Sequence, residues 1–171
     1  MDCFKQLIRD IPDFPKPGIV FRDITPLLRD GRAFAQTIDQ FAERYARKPI
    51  DAVVAIESRG LVLGAALALR LKAGLVLVRK RGKLPHKTHQ EPCELEYGSE
   101  VLEIHQDALQ PHERVLIVDD VLATGGTMRA AIRLVGRLRA KVIETAFLIE
   151  LTPLKGRKKL TPHSVFSLVK Y

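Results

Sequence analysis

Val115-Leu116-Ile117-Val118-Asp119-Asp120-Val121-Leu122-Ala123-Thr124-Gly125-Gly126-Thr127 is the stretch from which the rest of the chain can be read. Residues 115–118 are an apolar run too short for a helix, as expected of a buried strand. Asp119 and Asp120 put two adjacent carboxylates at that strand's end. Thr124, Gly125, Gly126 and Thr127 then lead into residues 128–138, whose apolar positions recur at helical spacing. Amides in the first turn of a helix lack intrahelical partners, and the helix dipole favours negative charge there. Glycine lets the backbone approach an anion closely, and threonine hydroxyls add hydrogen bonds. The turn therefore suits a phosphate. The two acids would repel one, so they fit sugar hydroxyls or a cation instead. A sugar phosphate satisfies both halves. A nucleoside-triphosphate P-loop is excluded, because no Lys follows the second glycine. An ordinary strand-to-helix corner would explain one glycine, but not two acids followed by Thr-Gly-Gly-Thr.

Outward from this stretch, apolar runs alternate with amphipathic ones. The pattern predicts a short helix over residues 2–10, a proline-stiffened segment over 13–18 and a helix over 31–47. Strands follow at 52–56 and 75–79, with a helix to residue 71 between them, and further strands at 101–104, 142–150 and 165–169. Residues 80–98 show no clear period and read as a long loop or irregular ribbon of the kind that covers active sites. Alternating strands and helices imply an α/β fold, a central parallel β-sheet flanked by helices. Ligands of such sheets bind beyond the carboxyl ends of strands. Residues 57–60, 80–83 and 119–127 all fall at such ends and converge on one crevice.

At 171 residues the chain reads as one domain, and an apolar share of 46% with 6% aromatics suits an ordinary soluble α/β protein. No apolar run approaches a membrane span, and the N-terminus lacks the apolar core of a signal peptide. Cys3 and Cys93, far apart and without ligand spacing, read as thiols in a reducing cytoplasm. A formal charge of +8 admits nucleic acid but equally suits a small, highly anionic substrate. The densest basic run, residues 155–159, lacks interleaved aromatics and reads as solvated surface rather than a nucleic-acid site. His86, His89, His105, His112 and His163 show no ligand or triad spacing and are assigned to the surface.

The stretch at residues 115–127 resembles the phosphoribosyl-diphosphate (PRPP) motif of the type I phosphoribosyltransferases, and the resemblance runs from Phe14-Pro15 to Val165-Phe166-Ser167-Leu168. It implies that Asp119 and Asp120 hold the ribose hydroxyls, and that Ala123, Thr124, Gly125, Gly126 and Thr127 bind the 5′-phosphate. Glu57-Ser58-Arg59-Gly60 resembles the diphosphate loop of the adenine-specific branch, which gives Arg59 the leaving group. Arg79 and Lys83, within the four cations of residues 79–83, would contact the same diphosphate. Leu95-Glu96-Tyr97-Gly98 resembles that branch's closing element, making Glu96 the acid/base candidate and Tyr97 a residue of the lid. Val20, Phe21 and Arg22, with Leu151, would border the adenine. Enzymes acting on 6-oxopurines carry an Asp where this chain has Ala123, so the resemblance points to adenine. Departures lie in the loop, at His86, Lys87 and Cys93. The implied organisation is a single domain with a hood at about residues 1–30 and a flexible catalytic loop at about 80–98. The implied reaction joins adenine and PRPP to give AMP and diphosphate in a cytoplasmic homodimer, with Mg²⁺ on PRPP and water and no dedicated protein site, Asp119 and Asp120 lying nearest to it. The alternative is a regulator on the same fold that senses PRPP or a purine and binds nucleic acid through its basic surface.

Overall fold

A β-hairpin, β1 (Arg9–Pro12) with β2 (Val20–Asp23), stands apart from a seven-stranded sheet in the computed structural model, which describes residues 2–95 and 98–171. The sheet contains β3 (Ala52–Ile56), β4 (Gly74–Lys80), β5 (Thr88–Leu95), β6 (Gly98–His105), β7 (Arg114–Leu122), β8 (Lys141–Glu150) and β9 (Val165–Lys170). Its spatial order is β5-β6-β4-β3-β7-β8-β9. The run from β4 through β3, β7 and β8 to β9 is parallel, while β6 and β5 extend it as an antiparallel hairpin.

Side-chain alternation explains why both faces are covered. Val115 and Ile117 of β7 point to one face with Val54 and Ile56 of β3, where α5 (Gly126–Arg137) packs through Met128, Ala131, Leu134 and Val135. Leu116 and Val118 point to the other face with Val53. There α3 (Gly31–Tyr45) contributes Ile38, Phe41 and Tyr45, and α4 (Arg59–Leu71) contributes Leu63 and Leu67. Asp30 caps α3 by accepting from the amides of Arg32 and Ala33, both at 3.0 Å. Gly64 lets α4 lie directly on β3, since any Cβ there would stand 2.4 Å from that of Ala55.

Several sequence expectations change. The first helix, α1, spans only Asp2–Gln6, and β1 begins at Arg9 because its backbone finds a partner in β2. Within residues 80–98, residues 88–95 form a regular strand: β5 pairs with β6 over its whole length, and an antiparallel partner supplies the order that the sequence period does not. Residues 81–87 are turn and bend as expected, and residues 96 and 97 lie outside the described residues. The strand at 115–118 continues to Leu122, because β8 pairs with it beyond the point where β3 stops. That last difference positions the site. The final β3–β7 pair is Ala55 with Val118, so Asp119 and Asp120 emerge where β7 has lost its neighbour. Chain connections run in opposite directions on either side of β3 and β7, which is the switch point where open sheets form a crevice.

Candidate active site

Two adjoining cavities occupy that crevice. The larger, about 650 Å³, is bordered by Val20, Phe21 and Arg22 of the hairpin, by Arg59 and Lys83, by Asp119 and Asp120, and by Leu151. The smaller, about 350 Å³, lies over residues 122–128. Pro15, Asp119, Val121, Ala123 and Thr127 border both. One ligand could therefore run from the turn, past the acids, to the hairpin.

At the α5 end of the crevice, Gly125 takes a φ of +84° ahead of the helix's first turn, a conformation that glycine adopts without penalty. A Cβ on Gly125 would meet the Gly156 carbonyl oxygen at 2.7 Å, and one on Gly156 would meet the Ala123 carbonyl oxygen at 2.3 Å. The turn thus rests on a second backbone turn. That support is anchored by Arg157, whose guanidinium donates to both oxygens of Glu150 at 2.7 Å and to the Val165 carbonyl at 2.7 Å. Burial alone would raise the Glu150 carboxyl, but Arg157 and Ser167 hold it below its ordinary range. The basic run at 155–159 is therefore only partly solvated surface, because folding turns Arg157 inward.

Asp119 and Asp120 are both buried, and the Asp120 amide donates to Asp119 Oδ1 at 2.9 Å. Gly60 makes room for them: a Cβ there would stand 2.8 Å from Asp119 Oδ1. Burial, and then the charge of Asp120, push the Asp119 carboxyl well above its usual range. Arg59 donates through Nε to Asp120 Oδ2 and lies 5.0 Å from the centre of the Phe21 ring. The alternative pairing of Arg59 with its neighbour Glu57 is not formed.

Glu57 instead gathers the other cations. Its carboxylate accepts from Lys83 Nζ, from Arg79 Nε at 3.1 Å and from the Lys80 amide at 3.2 Å. Burial would raise Glu57, yet these donors hold it below the ordinary carboxylate value. Arg79 stands one step back from the cavity, bonded to Glu57 and, at 3.2 Å, to the Lys83 carbonyl. At the hairpin end, Phe21 meets Phe14 edge-on at 5.2 Å. Arg22 pairs with Asp10 and lies 4.0 Å from the centre of the Tyr171 ring.

The structure thus brings together Val20, Phe21, Arg22, Arg59, Lys83, Asp119, Asp120, residues 123–127 and Leu151, with Arg79 behind them. Glu96 and Tyr97 lie outside the described residues. Three groups take places that the sequence does not assign them. Glu57, in sequence only part of a loop motif, is a carboxylate 22 and 26 residues from the two cations it holds, a separation that charge pattern alone signals weakly. Cys93 is buried at the cavity wall, its Sγ 3.7 Å from Thr127 Oγ1. Glu103 collects hydrogen bonds beneath the cation turn. Among the described residues no group of three or more His, Cys, Asp or Glu side chains could hold a metal, and no helix is long and apolar enough to cross a membrane.

Comparison with known proteins places this geometry. A family model described as "phosphoribosyl transferase domain" matches residues 25–169. The adenine phosphoribosyltransferase of Geobacter metallireducens is 56% identical over 171 residues, all of both chains. The crystal structure of the enzyme from Thermoanaerobacter pseudethanolicus superposes with a TM-score of 0.97 at 50% identity, covering 99% of each chain. That of the Saccharomyces cerevisiae enzyme, complexed with an imino-altritol bisphosphate and adenine, gives 0.92 at 42%, covering 98% of this chain and 97% of the other. These matches lend no support to the sensing regulator. The chain belongs to the phosphoribosyltransferase family, in its adenine phosphoribosyltransferase branch.

Proposed function

We propose that the chain transfers the 5-phosphoribosyl group of PRPP to N9 of adenine. The bond from C1 to the diphosphate oxygen breaks, the bond from C1 to N9 forms, and the N9 proton leaves, giving AMP and diphosphate. The observation that carries the reading is the order of groups along the two cavities: amide turn, acid pair, cations, aromatic hairpin. Residues 123–127 take the 5′-phosphate, and Asp119 and Asp120 accept from the ribose hydroxyls. Val20, Phe21, Arg22 and Leu151 enclose the base. Charge grows on the diphosphate oxygens as C1 becomes cationic, and Arg59, Lys83 and Arg79 stabilise it. These cations pair with Asp120 and Glu57, so a bound diphosphate would exchange their carboxylate partners for phosphate ones. Glu96 receives the N9 proton and Tyr97 packs over the reactants, excluding water from the cation at C1.

Mg²⁺ fits this site through its oxygen-only donors, Asp119 and Asp120; with so few protein ligands it would be held mostly by PRPP and water. When bound, it neutralises charge on the diphosphate. Adenine rather than a 6-oxopurine is favoured by Ala123, which leaves the turn without the acid those relatives carry. Val62 and Leu69 on the outer face of α4, with Leu75 and Leu77 of β4 beside it, are apolar and exposed, Leu69 to 83%. An exposed apolar face of this kind supports a homodimer. Two cysteines far apart in sequence and without ligand spacing favour the cytoplasm.

The test supplies PRPP and Mg²⁺ with adenine, hypoxanthine, guanine or orotate in turn and measures nucleotide formed. Turnover with adenine alone is expected. Turnover with hypoxanthine at a comparable rate would overturn the Ala123 argument, and none with any base would overturn the enzyme.

A further inference from the structure

The turn that carries Lys83 is held from below by a carboxylate that takes no part in the chemistry above. Glu103 lies in β6 between the buried Leu102 and Ile104 and is itself only 3% exposed. No cationic side chain among the described residues forms an ion pair with it. A buried carboxylate without a counter-charge is costly unless donors replace the lost water. Here four do so. Oε1 accepts from the amides of Gly82, at 2.6 Å, and Lys83, at 3.2 Å. Oε2 accepts from Thr88 Oγ1 at 3.0 Å and Gln90 Nε2 at 3.3 Å. Burial opposes ionisation, but this set of donors holds the carboxyl below its usual range.

The arrangement is directed at one residue. Gly82 takes a φ of +82°, which turns its amide and the next toward the same oxygen. The Lys83 carbonyl is held from the other side by Arg79 Nη1 at 3.2 Å. Both peptide groups of Lys83 are therefore fixed, and only its side chain is left to leave Glu57 for a substrate.

We propose that Glu103 is a positioning residue: its buried carboxylate sets the turn at residues 81–84, and so the place from which Lys83 reaches the diphosphate. The inference rests on the assignment of Lys83 to the leaving group. Replacing Glu103 by Gln keeps the shape but removes the charge and puts an NH2 where one carboxylate oxygen accepts, either toward the turn amides or toward Thr88 and Gln90. A residue that merely braces the β5–β6 hairpin and one that aims Lys83 differ in their coupling to Lys83.

The experiment is a double-mutant cycle of Glu103→Gln with Lys83→Ala, read as kcat and KM for each substrate in the full-length protein with Mg²⁺. We expect Glu103→Gln to lower kcat about tenfold with an unchanged KM for adenine, and to cost less than about twofold when Lys83 is already Ala. Thr88→Val, which removes one donor and leaves the pair of amides in place, should show the same non-additivity on a smaller scale, and stands in if Glu103→Gln fails to fold. Losses that multiply in the double variant would overturn the proposal and leave Glu103 a hairpin brace. A Lys83→Ala variant as active as the wild type would also overturn it, but by removing Lys83 from the reaction, which the single variant reveals on its own.

Discussion

The turn at residues 124–127 and the turn at residues 80–84 border the same crevice but are built in opposite ways. The first is made of small residues and held by backbone: Gly125 at a positive φ, close against the Gly156 carbonyl. The second is made of charged residues and held by carboxylates from elsewhere in the chain, Glu57 at the end of β3 and Glu103 in β6. Under the proposed function the tasks differ accordingly. A phosphate that stays bound throughout a reaction needs a rigid cradle of amides, whose dipoles are set once the helix forms. A departing diphosphate needs cations that are held ready and then released, so their partners must be groups that a phosphate can replace. The acids between the two turns belong to neither scheme, since they are buried against each other and are costly to ionise together.

Breaking the centre should have the largest effect. Asp119→Asn with Asp120→Asn is expected to lower PRPP affinity more than about a hundredfold while leaving the circular dichroism spectrum unchanged, because amides would leave ribose hydroxyls badly paired in a buried site. Titration calorimetry showing unchanged affinity would sink the ribose assignment. Asp119 adds a pH signature. Its carboxyl is raised by burial and by Asp120, so it holds its proton to higher pH than an ordinary carboxylate, and ribose and Mg²⁺ would displace that proton. PRPP affinity should therefore rise with pH until the raised value is passed, and Asp119→Asn should flatten that rise. The same raised value lowers the stability of the free fold as pH climbs above the unfolded value of 3.8. Asp119→Asn alone should thus raise Tm at neutral pH, by roughly 3 °C if the relief is about 1 kcal/mol.

Breaking the rigid turn comes next. Gly125→Ala demands a left-handed backbone of a residue that disfavours it and drives a methyl into the Gly156 carbonyl. PRPP affinity should fall roughly a hundredfold, as expected for a misplaced cradle, with adenine binding nearly unaffected. A parallel loss of adenine affinity would mean that the turn supports more than the phosphate. The smallest effect belongs to the exchangeable turn. Glu57→Gln leaves Lys83 and Arg79 without their anchor, and turnover should drop about fivefold with little change in PRPP affinity. Faster turnover would show instead that Glu57 restrains the cations more than it places them.

How much of this was legible varies by the range of the interactions involved. β3, α4 and the helix after the phosphate turn read correctly to within a residue or two, since each carries its own period and punctuation. β5 and its pairing with β6 did not, because Thr88-His89-Gln90-Glu91-Pro92 has no alternating apolar face and is a strand only through its partner. β1 was hidden in the same way. Among the residues that border or brace the crevice, those within local motifs can be named from the sequence, and Glu57 and Glu103 as organisers cannot. Their partners lie between 13 and 26 residues away, across strands whose register no local pattern reveals.

By itself, then, the sequence determined the parts whose cause is local: a strand that ends in two acids, a turn that only small residues can make, a helix that starts with free amides, and Ala123 within that turn. Backbone sterics and side-chain period act over a few residues, so these could be read directly. Tertiary structure alone decided which cation meets which carboxylate, that Arg59 pairs with Asp120 rather than with its neighbour Glu57, and that Arg157 turns inward beneath the phosphate turn. Those choices depend on burial and on the meeting of distant strands, which set the cost of every unpaired charge only after the sheet has formed.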